Sequence, residues 1–221
     1  MSPSTAPRPT VVFLHGIART HRSMSLLRND VRRAGYPTWS ESYPSRRLSI
    51  VELGAGIAQR VREAAPEGEV VGVTHSMGGI VARHMTGLLP WRGIVMIAPP
   101  NRGSRVALAL KDNPMFQWFF GPAGQELPDP AGWPMPPHPF AIIAGTRSAS
   151  LFAPPGWLTR AAGVMPRDEP SDGIVTVSET RLEGMTDFAT VDASHTWIMN
   201  HPGVRAMVLE FLARGRLGRP R

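Results

Sequence analysis

The sequence predicts a single α/β domain over residues 1–221, built on a mostly parallel sheet of about six strands flanked by helices. Short β-branched and aromatic runs alternate along the chain with segments of helical periodicity, which is typical of parallel strands connected by helices. The strand segments are apolar on both faces, as expected where helices cover each side of a sheet. The chain has no internal repeat and no linker that would separate two domains.

Six segments have the composition of buried strands. "TVVFLHG" is the first of them, a short β-branched and aromatic run that ends in glycine. A run of this length and composition with a glycine at its end favours a strand over a helix. The sixth, "DFATVDA", is the last strand before the closing helical segment. The predicted strands cover residues 10–16, 37–44, 69–75, 92–100, 139–146 and 187–193.

Four segments have apolar residues at helical spacing. In residues 49–65, Ile50, Leu53 and Ile57 fall on one helical face, the pattern of a helix packed against a core. The last segment has Pro202 in its first turn, where a helix tolerates proline. The predicted helices cover residues 22–36, 49–65, 77–89 and 202–215.

One stretch, residues 101–138, breaks this alternation and is rich in proline, glycine and bulky apolar residues. Connections of this length in a compact domain are usually functional or mobile. We therefore expect a candidate lid or cap insertion, which we call the cap segment. Its apolar run predicts a wall that binds substrate, and a short helix over the sheet edge is the alternative. The candidate substrate-binding residues are Met115, Phe116, Trp118 and Phe119.

Composition narrows the class of protein. The net charge is +7 and the pI about 11.2, but the arginines are spread along the chain and do not alternate with aromatic residues, so no nucleic-acid partner is expected. Residues 214–221 are expected to be a solvated basic tail. The chain has no cysteine. It has no apolar run near the roughly 20 residues of a membrane span, and we see no basic segment followed by an apolar one, which is the pattern of a secretory signal. We expect a cytoplasmic protein without stable membrane insertion.

Ser76 directly follows the third predicted strand and directly precedes a predicted helix. Gly78 and Gly79 follow it, although each glycine costs a helix about 1 kcal/mol relative to alanine. Small residues are needed where a sharp strand-to-helix turn lifts a nucleophilic hydroxyl out of a sheet. The alternative is an ordinary serine that caps the helix, which does not require the two glycines.

The motif "THSMGG" (74–79) resembles the nucleophile elbow G-x-S-x-G of the α/β-hydrolases, and most of all the version in small bacterial lipases; Thr74 replaces the first glycine. The resemblance covers nearly the whole chain, and it implies an α/β-hydrolase fold that lacks the N-terminal antiparallel strands of larger members. It also implies an oxyanion hole formed by the backbone N–H groups of Met77 and Ile17. His15 and Gly16 resemble the family's HG pair, in which the histidine orders the loop.

The same resemblance requires an acid and then a histidine after the serine. Only His195 and His201 follow the sixth predicted strand, and His201, beside Pro202 at a helix start, is expected to be a capping or a surface residue. Asp172, in "SDGIV", resembles the turn that carries the acid in such lipases, with Asp168 and Glu169 as competitors. The expected catalytic residues are Ser76, Asp172 and His195.

These residues imply a serine esterase or lipase that acts on a small-molecule ester with an apolar acyl group. No cofactor and no metal are expected, since no histidine-rich metal motif is present. Thioesterase, acyltransferase and related chemistry remain alternatives because the same triad serves all of them. A non-catalytic binding protein of this fold is a further alternative, and such a protein usually lacks a triad member.

Overall fold

Six parallel strands form one sheet in the computed structural model, which describes residues 7–66, 68–148, 163–166 and 168–218. The strand order is β2-β1-β3-β4-β5-β6. All five pairings are parallel, so the predicted six-stranded α/β sheet is confirmed. The strands are β1 (Thr10–Leu14), β2 (Thr38–Trp39), β3 (Val70–His75), β4 (Trp91–Ile97), β5 (Phe140–Gly145) and β6 (Asp187–Val191).

Helices cover both faces of this sheet. Alternate residues of the first strand face opposite layers. Val11 packs into the core that contains residues of the first and last helices, and Val12 packs into the core that contains residues of the second and third α-helices. This alternation follows from the two-residue period of a strand. Among the described residues the helices are α1 (Ser25–Arg33), α2 (Ile50–Ala64), α3 (Met77–Arg83), α4 (Arg105–Leu110), α5 (Pro114–Glu126), α6 (Val177–Thr180) and α7 (Pro202–Arg214).

Most predicted elements are shorter than the sequence suggests, and two of them have an identifiable local cause. The second strand is reduced to Thr38–Trp39, because the chain beyond it turns to the first loop, where the backbone N–H of Tyr43 donates to His15. The third helix ends at Arg83. There the hydroxyl of Thr86 donates to the Arg83 carbonyl at 2.8 Å. Local side-chain bonds of this kind compete with the helix ladder.

The cap segment folds into α4 and α5. Asn113 accepts from the backbone N–H groups of Met115 and Phe116 and Pro114 occupies the first turn, a start signal that the sequence already contains. Helix α5 kinks at Gly121, where φ is 61°. A Cβ there would lie 1.9 Å from the carbonyl oxygen of Arg46, so only glycine permits this close approach.

Buried polar contacts fasten the cap segment to the core. Arg83 is buried and donates to the backbone carbonyls of Asn101, Trp133 and Pro134 at 2.5–3.1 Å. Burial lowers the pKa of Arg83 to about 10. The guanidinium thus joins α3 to both ends of the cap segment.

The expected basic tail is in part packed. Arg214 ends α7, and Gly215 closes the helix in the left-handed conformation at φ 71°. Leu217 is buried and its N–H donates to Asp187 at 2.8 Å. Residues 219–221 lie outside the described residues.

Candidate active site

The strand order places the candidate site at one point of the sheet. From β1 the chain first runs outward to β2 and then returns past β1 to β3. The loops that leave β1 and β3 therefore diverge, and ligands of open α/β sheets bind in the crevice that this reversal opens at the carboxyl ends of the strands. Gly16 and Ile17 follow β1 and Ser76 follows β3, and all three line one cavity.

Ser76 occupies a strained turn between β3 and α3. Its φ is 55° and its ψ is −130°, a conformation that costs a non-glycine residue about 1–3 kcal/mol. The backbone N–H donates to the Ile97 carbonyl at 2.9 Å. The side chain makes no capping hydrogen bond to α3, so the helix-cap alternative does not describe this serine.

Gly78 allows α3 to lie directly against the end of β1. A Cβ at this position would lie 2.4 Å from the Leu14 carbonyl oxygen and 2.7 Å from that of His15. Both neighbours are backbone atoms that cannot move aside without displacing β1. Gly78 therefore fixes the distance between the serine turn and the first loop.

Three buried side chains form a continuous hydrogen-bonded chain. The hydroxyl of Ser76 lies 3.0 Å from Nε2 of His195, and Nδ1 of His195 lies 2.7 Å from Oδ2 of Asp172. The exposed fractions of Ser76, His195 and Asp172 are 8%, 9% and 2%. Distances of this size are those of a serine, a base and the acid that orients it.

Backbone groups hold Asp172 in place. Its Oδ1 accepts from the N–H groups of Ile174 and Val175 at 3.0 and 2.8 Å. Its own carbonyl accepts from the N–H of His195 at 3.0 Å. The two oxygens of the carboxylate thus have separate partners, and only Oδ2 faces the imidazole.

His75, the residue before the serine, holds the loop that carries His195. Its Nε2–H donates to the His195 carbonyl at 3.0 Å, and the two rings lie 4.9 Å apart at their centroids. Burial lowers the pKa of His75 well below its usual value, so the ring is neutral. Its Nδ1 has no hydrogen-bond partner among the described residues.

The other candidate acids and the second late histidine have different contacts. Glu169 accepts from the N–H of Ser178 and pairs with Arg105, and Asp192 pairs with Arg147 at 2.6 Å. His201 accepts from the N–H of Gly203 at the start of α7, which confirms the expected helix cap. Among the described residues, the carboxylate that pairs with the imidazole of His195 is that of Asp172 and not that of Asp168.

His15 orders the first loop. Its Nδ1–H donates to the Gly16 carbonyl at 2.8 Å, its Nε2 accepts from the Tyr43 N–H at 3.3 Å, and the two rings stack 3.9 Å apart. Burial lowers the pKa of His15 from 6.5 to about 4. The neutral ring has a donor and an acceptor, and each has a partner here.

Backbone N–H groups beside the serine are available to a ligand. Within the described chain no acceptor bonds the N–H of Ile17 or of Met77. Met77 is the first residue of α3, so its N–H belongs to the helix end that has no intrahelical partner. Ile17 lines the same cavity as Ser76, and Met77 directly follows Ser76 in the chain.

A cavity of about 410 Å³ opens above Ser76. Its wall is mostly apolar and comes largely from α4 and α5. Phe116 and Phe120 lie side by side in it, with ring centroids 4.7 Å apart. The other apolar lining residues are Ile17, Pro100, Val106, Ala107, Leu110, Leu127, Ile174 and Val175.

No group of three metal-ligating side chains occurs in the described ranges. Within the same ranges, every helix is too short or too polar to cross a bilayer.

A sequence profile of the α/β hydrolase family matches residues 11–214. The chain belongs to the α/β-hydrolase family. A search of curated protein sequences gives no match.

Solved structures with the same fold include lipases and esterases. The mature lipase BlEst2 of Bacillus licheniformis has 18% identity and a TM-score of 0.75, with 98% of this chain and 96% of that chain covered. The metagenomic carboxyl esterase MGS0156 has 19% identity and a TM-score of 0.71, with 96% and 76% covered. A thermophilic esterase of Thermogutta terrifontis has 15% identity and a TM-score of 0.57, with 96% and 92% covered. At these identities the likeness is one of fold.

In this α/β hydrolase, the expected substrate-binding run divides between two faces of α5. Phe116 lines the cavity, but Met115, Trp118 and Phe119 lie outside its lining and are 76%, 77% and 40% exposed. Phe120 lines the cavity instead. Residues four apart in a helix share one face. The four-residue spacing of Phe116 and Phe120 is therefore the sequence signal that could have indicated Phe120.

Proposed function

We propose that this α/β hydrolase is a serine hydrolase that cleaves carboxylic esters, of the carboxylesterase or lipase type. The observation that carries the proposal is the buried chain of hydrogen bonds from Ser76 through His195 to Asp172, with distances of 3.0 and 2.7 Å. A non-catalytic member of the fold would have no reason to keep all three groups aligned beside an open cavity.

Acylation of the serine is the first half of the proposed reaction. The Oγ of Ser76 attacks the ester carbonyl carbon while its proton passes to Nε2 of His195. Asp172, bonded to Nδ1, stabilises the imidazolium that forms. The carbonyl oxygen becomes an oxyanion, and the free N–H groups of Met77 and Ile17 are the donors that we assign to it.

The second half of the reaction regenerates the serine. The C–O bond to the alcohol breaks, and the alcohol leaves with the proton from His195. Water then attacks the acyl-serine, gives its proton to His195, and releases the carboxylic acid as the proton returns to Ser76. The residues of this chain supply every proton transfer in the cycle.

The cavity favours an apolar acyl group. Its lining is dominated by aliphatic side chains and by Phe116 and Phe120, and each buried CH₂ of a ligand contributes about 0.8 kcal/mol. The fold relatives named above include a lipase and two esterases, which is consistent with this substrate class.

Hydrolysis of p-nitrophenyl acetate, butyrate, octanoate and palmitate tests the proposal. We expect turnover by the wild type, and a decrease by a factor of about 10⁴ or more in Ser76→Ala. Ser23→Ala is the matched control, since its hydroxyl bonds the Thr20 carbonyl away from the cavity. A p-nitrophenyl thioester and an acyl-CoA in the same series separate ester from thioester preference.

Two results would contradict the proposal. One is a Ser76→Ala variant that is as active as the wild type. The other is a wild type that is inert on all four esters and that a fluorophosphonate probe does not label, which would favour a binding role for the fold.

A further inference from the structure

Arg19 lies between two cavities. The residue lines the cavity above Ser76, and it also lines a second cavity of about 430 Å³. The residue follows the loop that carries Gly16 and Ile17, and its backbone N–H donates to the Gly16 carbonyl. Ser76 and Arg19 therefore share one cavity.

Both cavities contain cations and no carboxylate. The lining of the second cavity includes Arg19, Arg46 and Arg47, and no aspartate or glutamate lines either cavity. Uncompensated charge of one sign in a cleft raises the local concentration of ligands of the opposite sign. The field at this end of the site is therefore suited to an anion.

Arg19 itself has no carboxylate partner among the described residues. None of the ion pairs involves it, and its guanidinium takes part in none of the side-chain hydrogen bonds. The side chain is nevertheless half-buried, and burial lowers the pKa of Arg19. Arg83, which is buried more deeply, differs because carbonyl oxygens surround its guanidinium.

The neighbouring Arg46 ties this basic end to the cap segment. Its Nε–H donates to the Phe119 carbonyl, and its guanidinium lies 4.1 Å from the centre of the Phe119 ring. These contacts place a second cation at the rim of the second cavity. They also place Trp118 and Phe119, on the outer face of α5, beside Arg46.

We propose that the natural substrate is an anionic ester, with an apolar arm against Phe116 and Phe120 and a carboxylate or phosphate group held by Arg19. The proposal rests on the ester hydrolysis proposed above. Guanidinium groups bind carboxylate and phosphate through two parallel hydrogen bonds, which Arg19 has free. Arg46 and Arg47, which also line the second cavity, add to the attraction.

Matched pairs of substrates test this inference. The first pair is the mono-p-nitrophenyl ester of octanedioic acid against p-nitrophenyl octanoate, which differ in one terminal carboxylate. The second pair is octanoyl glycerol phosphate against octanoyl glycerol, which places a phosphate on the alcohol side. The measured quantity is the ratio of kcat/KM for the anionic member to that for the neutral member.

We expect the ratio to fall about tenfold or more in Arg19→Gln for at least one pair, mainly through KM, because a charge-assisted hydrogen bond is lost. Arg19→Lys retains the charge and is expected to restore part of the ratio. Arg22→Gln is the matched control: it removes an exposed arginine three residues away that lines neither cavity. Thermal unfolding of each variant checks that the fold is intact.

An unchanged ratio in Arg19→Gln for both pairs overturns the proposal. So does an equal decrease in Arg22→Gln, since that result would indicate the overall charge of the protein and no specific site.

Binding without turnover separates this inference from the proposed function. Octanedioate and glycerol phosphate are titrated by calorimetry into Ser76→Ala and into the double variant Ser76→Ala/Arg19→Gln. Arg19-dependent binding with no hydrolysis of any ester supports the anion site and contradicts the esterase. Hydrolysis of neutral esters without any Arg19-dependent selectivity or binding supports the esterase and contradicts the anion site.

Discussion

Replacement of Asp172 by asparagine changes one atom and reverses one hydrogen bond. The Oδ1 atom of Asp172 accepts two backbone N–H groups, so the amide oxygen of Asp172→Asn keeps this position. Its NH₂ group then faces Nδ1 of His195, 2.7 Å from the present oxygen. Because an amide NH₂ can only donate, Nδ1 must become the acceptor, and the ring proton moves to Nε2.

In this tautomer, Nε2 of His195 can no longer act as the general base. An Nε2 that carries a proton donates to Ser76 and cannot accept the proton of its hydroxyl. The corresponding substitution in a serine protease lowers kcat by about 10⁴, which is about 5 kcal/mol of transition-state stabilisation. We expect a loss of this size for Asp172→Asn with nearly unchanged KM and an almost unchanged melting temperature, since the two backbone hydrogen bonds survive.

The assay is hydrolysis of p-nitrophenyl butyrate, with fluorophosphonate labelling of Ser76 as a second readout. Asp192→Asn is the matched control: it lies three residues before His195, but its carboxylate is exposed and pairs with Arg147. The control should keep wild-type activity. If Asp172→Asn retained more than about a tenth of the activity while Glu169→Gln or another acid variant lost it, the assignment of the acid would be wrong.

Three further predictions concern stability. Gly78→Ala places a methyl group 2.4 Å from the Leu14 carbonyl oxygen, so it should lower the free energy of unfolding by about 1–3 kcal/mol, measured by urea unfolding. The control Gly87→Ala, whose methyl group meets nothing within 4 Å, should not lower it. His15 has a pKa lowered from 6.5 to about 4, so the unfolded state binds its proton first and stability falls as the pH falls from about 6.5 to 4. At pH 4 the wild type should have lost about 3 kcal/mol more than His15→Gln, and an equal loss in both would contradict this account. Arg83→Gln leaves buried carbonyls of the cap segment without a cationic donor and should lower the free energy of unfolding by about 2–4 kcal/mol, measured by thermal unfolding with exposed Arg62→Gln as the control.

Much of the architecture was predictable because its signals are local. Strand and helix periodicity, Ser49 and Glu52 in a capping box at the start of α2, and Pro202 at the start of α7 each lie within a few residues of the feature that they indicate. The order of Ser76, Asp172 and His195 along the chain pointed to one site through a family pattern. Their hydrogen bonds join residues 23 and 119 positions apart.

Other features had no local signal. The cation at Arg19 has no motif around it, and its lack of a carboxylate partner follows from where every other acid lies in space. Tyr43 supports His15 across 28 positions, which ends β2 early although its residues have strand propensity. The division of α5 into a cavity face with Phe116 and Phe120 and an outer face with Trp118 required the helix and its kink at Gly121.

The six strands and four of the helices were visible in the sequence alone, and so was a serine after the third strand with two glycines behind it. Hydrophobic periodicity and the residue preferences of turns depend on neighbours only a few positions away. They can therefore be recognised in the sequence without knowledge of the fold. The three-dimensional packing was needed to show which residues share the cavity, which carbonyls Gly78 must approach, and which arginine lines the same cavity as the serine without a carboxylate partner among the described residues. Those outcomes depend on distances between segments that are remote along the chain, and the packing of the whole sheet sets these distances.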